Sequence, residues 1–253
     1  MLYACLKKMT LGFSGQMLLP PTSIDSITGK DDKKMEIQEI SKKNLTSGAF
    51  LAFEGIDGSG KSTQIQMLAA KLRERGVRFY TTMEPTDSPI GSLIHQIMTG
   101  RIKADNRVIA ALFAADRLDH LLNEVDGIAA KIADGISVIS DRYYFSSYAY
   151  HSVDMPMEWV VQANEQSSAI LKPTATIFID VDPDIALERI SRNRFHKELF
   201  EKKSMLVRVR EKYLEAFERL KDSENIIMID GSQTPQRISE EIWQRVCEYF
   251  VLK

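Results

Sequence analysis

Short apolar runs alternate with segments of helical periodicity from residue 48 to the end of the chain. Five runs have the length and β-rich composition of strands, at residues 49–53, 77–83, 136–140, 174–181 and 225–230. The clearest helical segments span 62–75, 90–99, 106–133, 204–220 and 236–250, with two more before residue 171 and another opened by Asp182-Pro183. This alternation predicts an α/β fold, a five-stranded parallel sheet with helices on both faces. The third and fourth runs are apolar almost throughout, which predicts that these strands are central.

The first 47 residues follow a different pattern. They hold Pro20-Pro21 and a polar run at 30–34, and their weakly apolar start is followed, not preceded, by Lys7-Lys8. A secretory signal places its positive charges first, so that interpretation is rejected. We expect a poorly ordered extension over 1–47, or a start assigned too early with Met35 as the internal candidate, and a folded domain over 48–253.

Composition limits the classes of partner. The 253 residues are 44% hydrophobic and 27% charged, as in a globular protein, and the net charge of −2 gives no electrostatic case for nucleic acid or an anionic membrane. Two cysteines, Cys5 and Cys247, have neither metal-binding nor redox spacing, which favours a reducing, cytoplasmic setting. No apolar run approaches the length of a membrane span.

Residues 53–63 carry the clearest chemistry. Their sequence, FEGIDGSGKST, fits the pattern G-x-x-x-x-G-K-[ST] between a predicted strand and a predicted helix. Glycines let successive backbone N–H groups turn toward phosphate oxygens, and the helix N-terminus adds partial positive charge. A lysine at position 61 can reach the β- and γ-phosphates, and the hydroxyl at 62 can ligate Mg²⁺. The loop predicts a nucleoside triphosphate site without specifying a reaction.

Further motifs lie at the ends of the other predicted strands, and their order resembles that of the thymidylate kinase family of P-loop nucleoside-monophosphate kinases. The resemblance covers residue 48 to the C-terminus. It rests on residues 53–63, Glu84-Pro85, 113–117 with His120, 141–143 with 146–150, the basic segment before Phe200-Glu201, and 230–233. It implies a domain with a mobile lid segment that transfers phosphate from ATP to dTMP, giving ADP and dTDP.

The resemblance also implies which residues form the sites. Those for ATP are Gly55, Asp57, Gly58, Ser59, Gly60, Lys61, Ser62, Thr63 and Gln233, with Ser232 and Thr234 bordering the adenine. Those for dTMP are Asp57, Glu84, Pro85, Phe113, Arg117, Arg142, Ser147 and Tyr150. Ser62 and Asp141 would hold Mg²⁺, and the catalytic group would be Lys61, Asp57, Arg142, Arg192 and Arg194.

Within the dTMP site, the family pattern gives each residue a part. Asp57 would bind the 3′-hydroxyl, and Arg142 would grip the acceptor phosphate with Ser147 nearby. Phe113 would stack on thymine and Arg117 would donate to its O4, where cytosine offers an amino donor instead. By spacing alone, Phe113 is better explained as a core residue and Arg117 as a surface cation, and it is the family pattern that reverses this preference.

Other parts of the pattern concern the sugar, the metal and the lid. Tyr150 would pack under the sugar and disfavour a 2′-hydroxyl, with a core tyrosine as the alternative; Glu84 would lie between acceptor phosphate and metal, and Pro85 would shape the pocket. Because Ser59 stands where some relatives carry a P-loop arginine, the lid must supply the arginine finger, from Arg192 or Arg194 ahead of Arg189. The alternative interpretation of that cluster is a solvated charged face.

Two positions depart from the family pattern, and two alternatives stay open. His95 stands where many relatives have arginine, and His151 follows Tyr150 where they often continue Gln-Gly. The alternatives are a kinase for another nucleoside monophosphate and a hydrolytic nucleotide switch, although the guanine-binding pattern Asn-Lys-x-Asp is absent. The family is usually dimeric, so we expect a homodimer with the segment 106–133 at its interface.

Overall fold

The computed structural model describes residues 48–190 and 196–250, with side chains omitted over 196–202. It contains five strands, β1 Phe50–Glu54, β2 Phe79–Met83, β3 Ser137–Asp141, β4 Ala175–Asp180 and β5 Ile226–Asp230. The helices are α1 Lys61–Glu74, α2 Pro89–Met98, α3 Asn106–Leu122, α4 Ile128–Ala133, α5 Tyr144–His151, α6 Met157–Ala163, α7 Glu165–Ile170, α8 Pro183–Ile190, α9 His196–Leu220 and α10 Pro235–Val246, and a 3₁₀ turn, Cys247–Tyr249, follows. The proposed extension, 1–47, and the two lid arginines, Arg192 and Arg194, lie outside the described residues, as does the side chain of Glu201.

The strands form one parallel sheet in the order β2-β3-β1-β4-β5. The predicted fold class is therefore confirmed. β3 and β4 lie inside the sheet as predicted, but β1 takes the middle place between them. Along β1 the side chains alternate between two cores: Phe50 packs on the face with α5 and α9, and Leu51 on the face with α1 and α10. Helices thus cover both faces.

The single helix expected over 106–133 is wrong, because α3 ends at Leu122 and α4 begins at Ile128. Asn123 leaves the helical region with ψ 125°, and its side-chain oxygen accepts from the backbone N–H of Val125 at 2.9 Å. An asparagine that captures nearby backbone donors competes with helix continuation. A Cβ at Gly127 would lie 2.3 Å from the Asn123 carbonyl oxygen, so the tight turn depends on glycine there.

The helix expected to begin near residue 204 begins instead at His196. Residues 196–203, HKELFEKK, hold no glycine or proline and are rich in good helix formers, so nothing in them stops the helix. Across the described ranges, no helix is both long enough and apolar enough to cross a membrane.

The sheet brings two loops together above its centre. Phe53 of β1 pairs with Asp141 of β3, and the backbone N–H of Arg142 donates to the Phe53 carbonyl at 2.9 Å. The loop after β1 and the turn after β3 therefore leave the carboxyl edge side by side, where open α/β sheets bind ligands.

Candidate active site

The loop between β1 and α1 has the conformation of a phosphate cradle. Gly55, Gly58 and Gly60 have φ of 143°, 83° and 102°, in the region that disfavours side chains. At Gly58 the packing adds a second constraint, because a Cβ would lie 2.4 Å from the Ala186 carbonyl oxygen. The loop borders a cavity of 660 Å³ whose lining includes every residue from Asp57 to Thr63. The cavity thus collects the predicted ATP residues other than Gly55, including Gln233.

Lys61 lies folded over this loop. Its Nζ donates to the carbonyl oxygens of Gly55 at 3.0 Å and Ile56 at 3.3 Å, and the side chain is buried. Burial, and then the nearby charge of Arg142, lower the pKa of Lys61 to about 8. The ammonium is therefore poorly compensated in the free protein and gains from an incoming anion.

Ser62 and Asp141 form a pair of hard oxygen donors beside the same cavity. The Ser62 hydroxyl donates to Asp141 Oδ2 at 2.9 Å. A hydroxyl and a carboxylate in contact suit Mg²⁺, which takes few protein ligands and completes its shell with water and phosphate oxygens. Within 48–190 and 196–250, no three His, Cys, Asp or Glu side chains form a metal cage. The site thus fits a metal that arrives with a phosphate ligand.

Arg142 stands at the junction of the two loops. It has φ 77°, and its carbonyl accepts from the Ser140 hydroxyl at 2.7 Å, which holds the turn. Its guanidinium reaches Asp57 Oδ1 at 2.5 Å and the Tyr150 hydroxyl at 3.3 Å, and lies 4.9 Å from the centre of the Tyr150 ring. Burial raises the pKa of Tyr150 to about 12, so its hydroxyl stays protonated. A planar cation in this position can bind a phosphate in fork geometry.

A second cavity, of 400 Å³, opens on the other side of Arg142. Asp57, Glu84 and Arg142 line both cavities, so the two spaces meet at these side chains. The other predicted dTMP residues all line the second cavity: Pro85, Phe113, Arg117, Ser147 and Tyr150. The structure therefore brings the described dTMP candidates to one place.

Arg117 is buried, with 1% of its surface exposed, and its donors are engaged by the protein. Its Nε and one terminal nitrogen contact Glu84 Oε2 at 2.8 and 2.7 Å. The remaining contacts run to the Ser147 hydroxyl at 3.1 Å, the Asn164 side-chain oxygen and the Tyr143 carbonyl at 3.2 Å. Ser147 thus lies against Arg117, and it is Ser146 whose hydroxyl meets Arg142, at 3.1 Å.

Glu84 is equally buried and anchors a second partner. His120 Nδ1 lies 3.1 Å from Glu84 Oε1, and the other ring nitrogen lies 2.7 Å from the Thr82 hydroxyl. The Glu84-Pro85 peptide bond is cis. The following loop is held by Asp116, whose carboxylate accepts from the backbone N–H and the hydroxyl of Thr86 at 2.8 and 2.6 Å.

The two histidines that depart from the family pattern also line the second cavity. The His151 ring lies 5.1 Å from that of Phe113, tilted by 58°. Burial, reinforced by the charge of Arg117, lowers the pKa of His151 to about 4, so the ring is neutral at pH 7. His95 is exposed on α2.

Arg189, ranked below the other lid arginines, lies in the last turn of α8 and faces the ATP cavity. It donates to the Ser59 carbonyl at 3.2 Å and the Gly231 carbonyl at 2.9 Å. It thereby links the phosphate loop to the loop that carries Gln233.

Sequence reasoning gave no role to Glu54, Asp116, Asn164 or Tyr213. Glu54 is fully buried at the end of β1, where burial raises its pKa and hydrogen bonds from Ser146 and Tyr213 act the other way. A charged residue closing an apolar run just before the glycine-rich loop was a usable signal for Glu54. Asp116 adjoins Arg117 within the motif at 113–117, but no local sequence pattern distinguishes Asn164 or Tyr213.

Comparison with known proteins gives one family. The family model described as thymidylate kinase matches residues 53–242. The chain is 35% identical over 205 residues to a probable thymidylate kinase of Methanocaldococcus jannaschii, covering 81% of this chain and 97% of that protein. It is 41% identical over 195 residues to a probable thymidylate kinase of Pyrobaculum aerophilum, covering 77% and 94%. A thymidylate kinase of Leptospira borgpetersenii is 34% identical over 193 residues, covering 76% and 90%.

Proposed function

The chain belongs to the thymidylate kinase family, and from this we propose that it transfers the γ-phosphoryl group of ATP to dTMP, giving ADP and dTDP. The observation that supports this most directly is the pair of cavities that meet at Asp57, Glu84 and Arg142. One is bordered by a triphosphate loop and the other by aromatic and polar side chains suited to a nucleoside. A hydrolytic switch needs no second nucleotide pocket.

The reaction needs positioning more than side-chain chemistry. A phosphate oxygen of dTMP attacks the γ-phosphorus in line, and the bond to the β–γ bridging oxygen breaks as ADP leaves. Lys61 binds the β- and γ-phosphates and Arg142 binds the acceptor phosphate, so both anions are held where the cavities meet. Asp57, now paired with Arg142, accepts from the 3′-hydroxyl when the acceptor is bound. Fixing two reactants in this way supplies much of the rate enhancement.

Ser62 and Asp141 would hold Mg²⁺. The ion would neutralise charge on the β- and γ-phosphates as it develops. Both side chains already lie in contact beside the loop, so a site of this kind needs little rearrangement.

The distant end of the second cavity is our candidate for the thymine pocket. Phe113 provides a stacking face, while Arg117 and Ser147 present polar atoms beside it. Because Arg117 is already engaged, its bond to O4 would require giving up a protein acceptor, or would pass through Ser147. An arginine at this edge still disfavours cytosine, whose exocyclic group is a donor.

The lid arginine and the oligomeric state complete the proposal. Arg192 or Arg194 supplies the finger on the γ-phosphoryl group, since the phosphate loop carries Ser59 at the alternative place.

A homodimer forms through α3, where Val108 and Leu122 are 50% and 55% exposed and lie about four turns apart on one side of the helix. Light scattering coupled to size exclusion tests the dimer, and Val108→Asp should shift it to a monomer.

An acceptor panel tests the function. ADP release is measured with ATP and Mg²⁺ and with dTMP, dUMP, dCMP, UMP, dGMP or no acceptor. We expect strong turnover with dTMP and, because dUMP lacks only the methyl group, roughly 10–200-fold lower kcat/KM with dUMP. Equal ADP release without any acceptor would favour the hydrolytic switch, and preference for another monophosphate would refute the base-pocket assignment alone.

A further inference from the structure

We propose that Glu54, Ser146 and Tyr213 form a hydrogen-bonded relay that positions Arg142 for the acceptor phosphate. The inference rests on the proposed function, since it takes Arg142 to be the acceptor-phosphate ligand. Glu54 and Tyr213 are not among the residues that line either cavity, whereas Ser146 borders the second cavity beside Arg142. The three are positioning residues that act through Arg142.

Glu54 is the centre of the relay. Its Oε1 accepts from the backbone N–H groups of Tyr143 at 2.8 Å and Ser146 at 3.2 Å. Its Oε2 accepts from the Ser146 hydroxyl at 2.6 Å and the Tyr213 hydroxyl at 2.8 Å. A buried carboxylate is stable only with such partners, and these four belong to the turn after β3, the first turn of α5 and α9. One side chain of β1 thus fixes the first turn of α5, directly after Arg142.

The relay has a defined polarity. The Ser146 hydroxyl has one proton, and the short 2.6 Å contact directs it to Glu54. The lone pairs of Ser146 Oγ are then free to accept from the Arg142 guanidinium at 3.1 Å. The Tyr213 hydroxyl likewise gives its proton to Glu54, so its oxygen is an acceptor for the Arg142 guanidinium, at 3.5 Å, beside Ser146 Oγ at 2.8 Å. The carboxylate therefore makes Ser146 an acceptor for the arginine.

Arg142 needs this support because a rival acceptor is close. Its other terminal nitrogen already contacts Asp57, whose side chain is 49% exposed. Without Ser146, the guanidinium would keep the longer contacts to the Tyr150 hydroxyl at 3.3 Å and the Gly55 carbonyl at 3.4 Å. It would then turn toward Asp57 and form a bidentate pair, which occupies the donors that a phosphate requires. The contact with Ser146 holds the first terminal nitrogen away from Asp57. The relay thus keeps guanidinium donors of Arg142 available to a phosphate in the second cavity.

Tyr213 links the relay to the helix that follows the arginine-rich segment. It is fully buried, and Arg210, three residues earlier on α9, forms a two-bond ion pair with Asp180 at 2.6 and 2.8 Å. This pair fixes the position of α9 on the carboxyl edge of the sheet. The acceptor arginine and the helix after the lid therefore share one rigid anchor.

Steady-state kinetics of Ser146→Ala and Tyr213→Phe test the relay, with kcat and KM measured separately for dTMP and ATP. Loss of a hydrogen bond to a charged group predicts that each raises the KM for dTMP about 10-fold and leaves the KM for ATP within about 2-fold. Tyr144→Phe is the matched control, because it removes another buried tyrosine hydroxyl, bonded to Glu224 at 2.8 Å. Ser146→Thr keeps the hydroxyl and should restore a KM for dTMP near that of the wild type.

The outcomes separate the relay from the proposed function. A wild type that turns over dTMP, with Ser146→Ala and Tyr213→Phe unchanged relative to Tyr144→Phe, overturns the relay and leaves the kinase intact. A parallel rise in the KM values for ATP and dTMP also overturns it, since that indicates general loosening. A wild type without dTMP-dependent turnover overturns both. If Ser146→Ala fails to fold, Tyr213→Phe decides alone.

Discussion

Replacing Arg117 with methionine should destabilise the fold as well as weaken dTMP binding. The guanidinium is 1% exposed and makes two contacts to Glu84 Oε2, and methionine offers the carboxylate no donor. Ser147, Asn164 and the Tyr143 carbonyl also lose a donor in the buried network. A side chain assigned to substrate recognition thus also contributes strongly to the stability of the fold.

The magnitude follows from the buried charge left behind. Removing one partner of a buried ion pair costs about 3–5 kcal/mol, because the other charge stays desolvated. Single domains are stable by only about 5–15 kcal/mol, so Arg117→Met should remove roughly a fifth or more of the stability. At about 2–4 °C per kcal/mol for a domain of this size, the melting temperature should fall by roughly 10 °C.

Urea denaturation followed by circular dichroism measures this, with a variant on the same helix as control. Arg107→Met removes an arginine whose partner, Asp105, lies 2.8 Å away at the surface, and it should leave the urea midpoint nearly unchanged. The double variant gives the sharper test. Glu84→Gln should destabilise the wild type and stabilise Arg117→Met, because only in the second case does it remove a buried charge that has lost its arginine. A loss below about 1 kcal/mol for Arg117→Met, or no reversal of sign, would refute the reasoning.

Three further outcomes follow from other parts of the site. Burial holds the pKa of Lys61 at about 8, and bound phosphate favours the charged amine, so the affinity for ATP should fall as pH rises through 8. Calorimetry of ATP binding in two buffers at pH 8.5 should therefore show proton uptake, and binding without uptake would contradict this. Gly58→Ala should abolish ATP binding, because its Cβ would lie 2.4 Å from a carbonyl oxygen of α8. The control Gly76→Ala, at φ 67° in open space, should cost about 1 kcal/mol of stability and leave activity unchanged. Equal ATP affinity in both variants would contradict the packing argument. His151→Ala removes the ring packed on Phe113. In steady-state kinetics it should raise the KM for dTMP about 2–10-fold with little change in kcat. An unchanged KM would show that this contact does not support the base pocket.

The parallel sheet could be predicted from sequence because five short β-rich runs alternate with helical segments, but the middle place of β1 in the strand order could not. Residues 53–63 could also be predicted, since their chemistry is local: three glycines, two serines and a lysine lie between residues 55 and 62. The break after α3 was missed because it depends on Asn123 capturing backbone donors, against a continuing apolar period. The early start of α9 was missed because a run of charges looks like a loop until helix propensity is weighed.

Long-range contacts explain what sequence could not give. Glu54 and Tyr213 meet although they are separated by 159 positions, and neither carries a motif that names the other. By its spacing Arg117 resembles a surface cation, yet the fold surrounds it with acceptors from the loop after β2, the turn after β3, α5 and the junction between α6 and α7. Ser146 and Ser147 are neighbours in sequence, but the helix directs one toward Arg142 and the other toward Arg117. Only the packed structure separates these roles.

The most direct test of the account follows the labelled phosphate itself. ATP labelled with ³²P at the γ-position is incubated with Mg²⁺ and the protein, with and without dTMP, and the products are separated by chromatography. The account predicts that the label appears in dTDP in equal amount to the ADP formed, and that little label is released without dTMP. Label recovered as inorganic phosphate at the same rate with and without dTMP would contradict it.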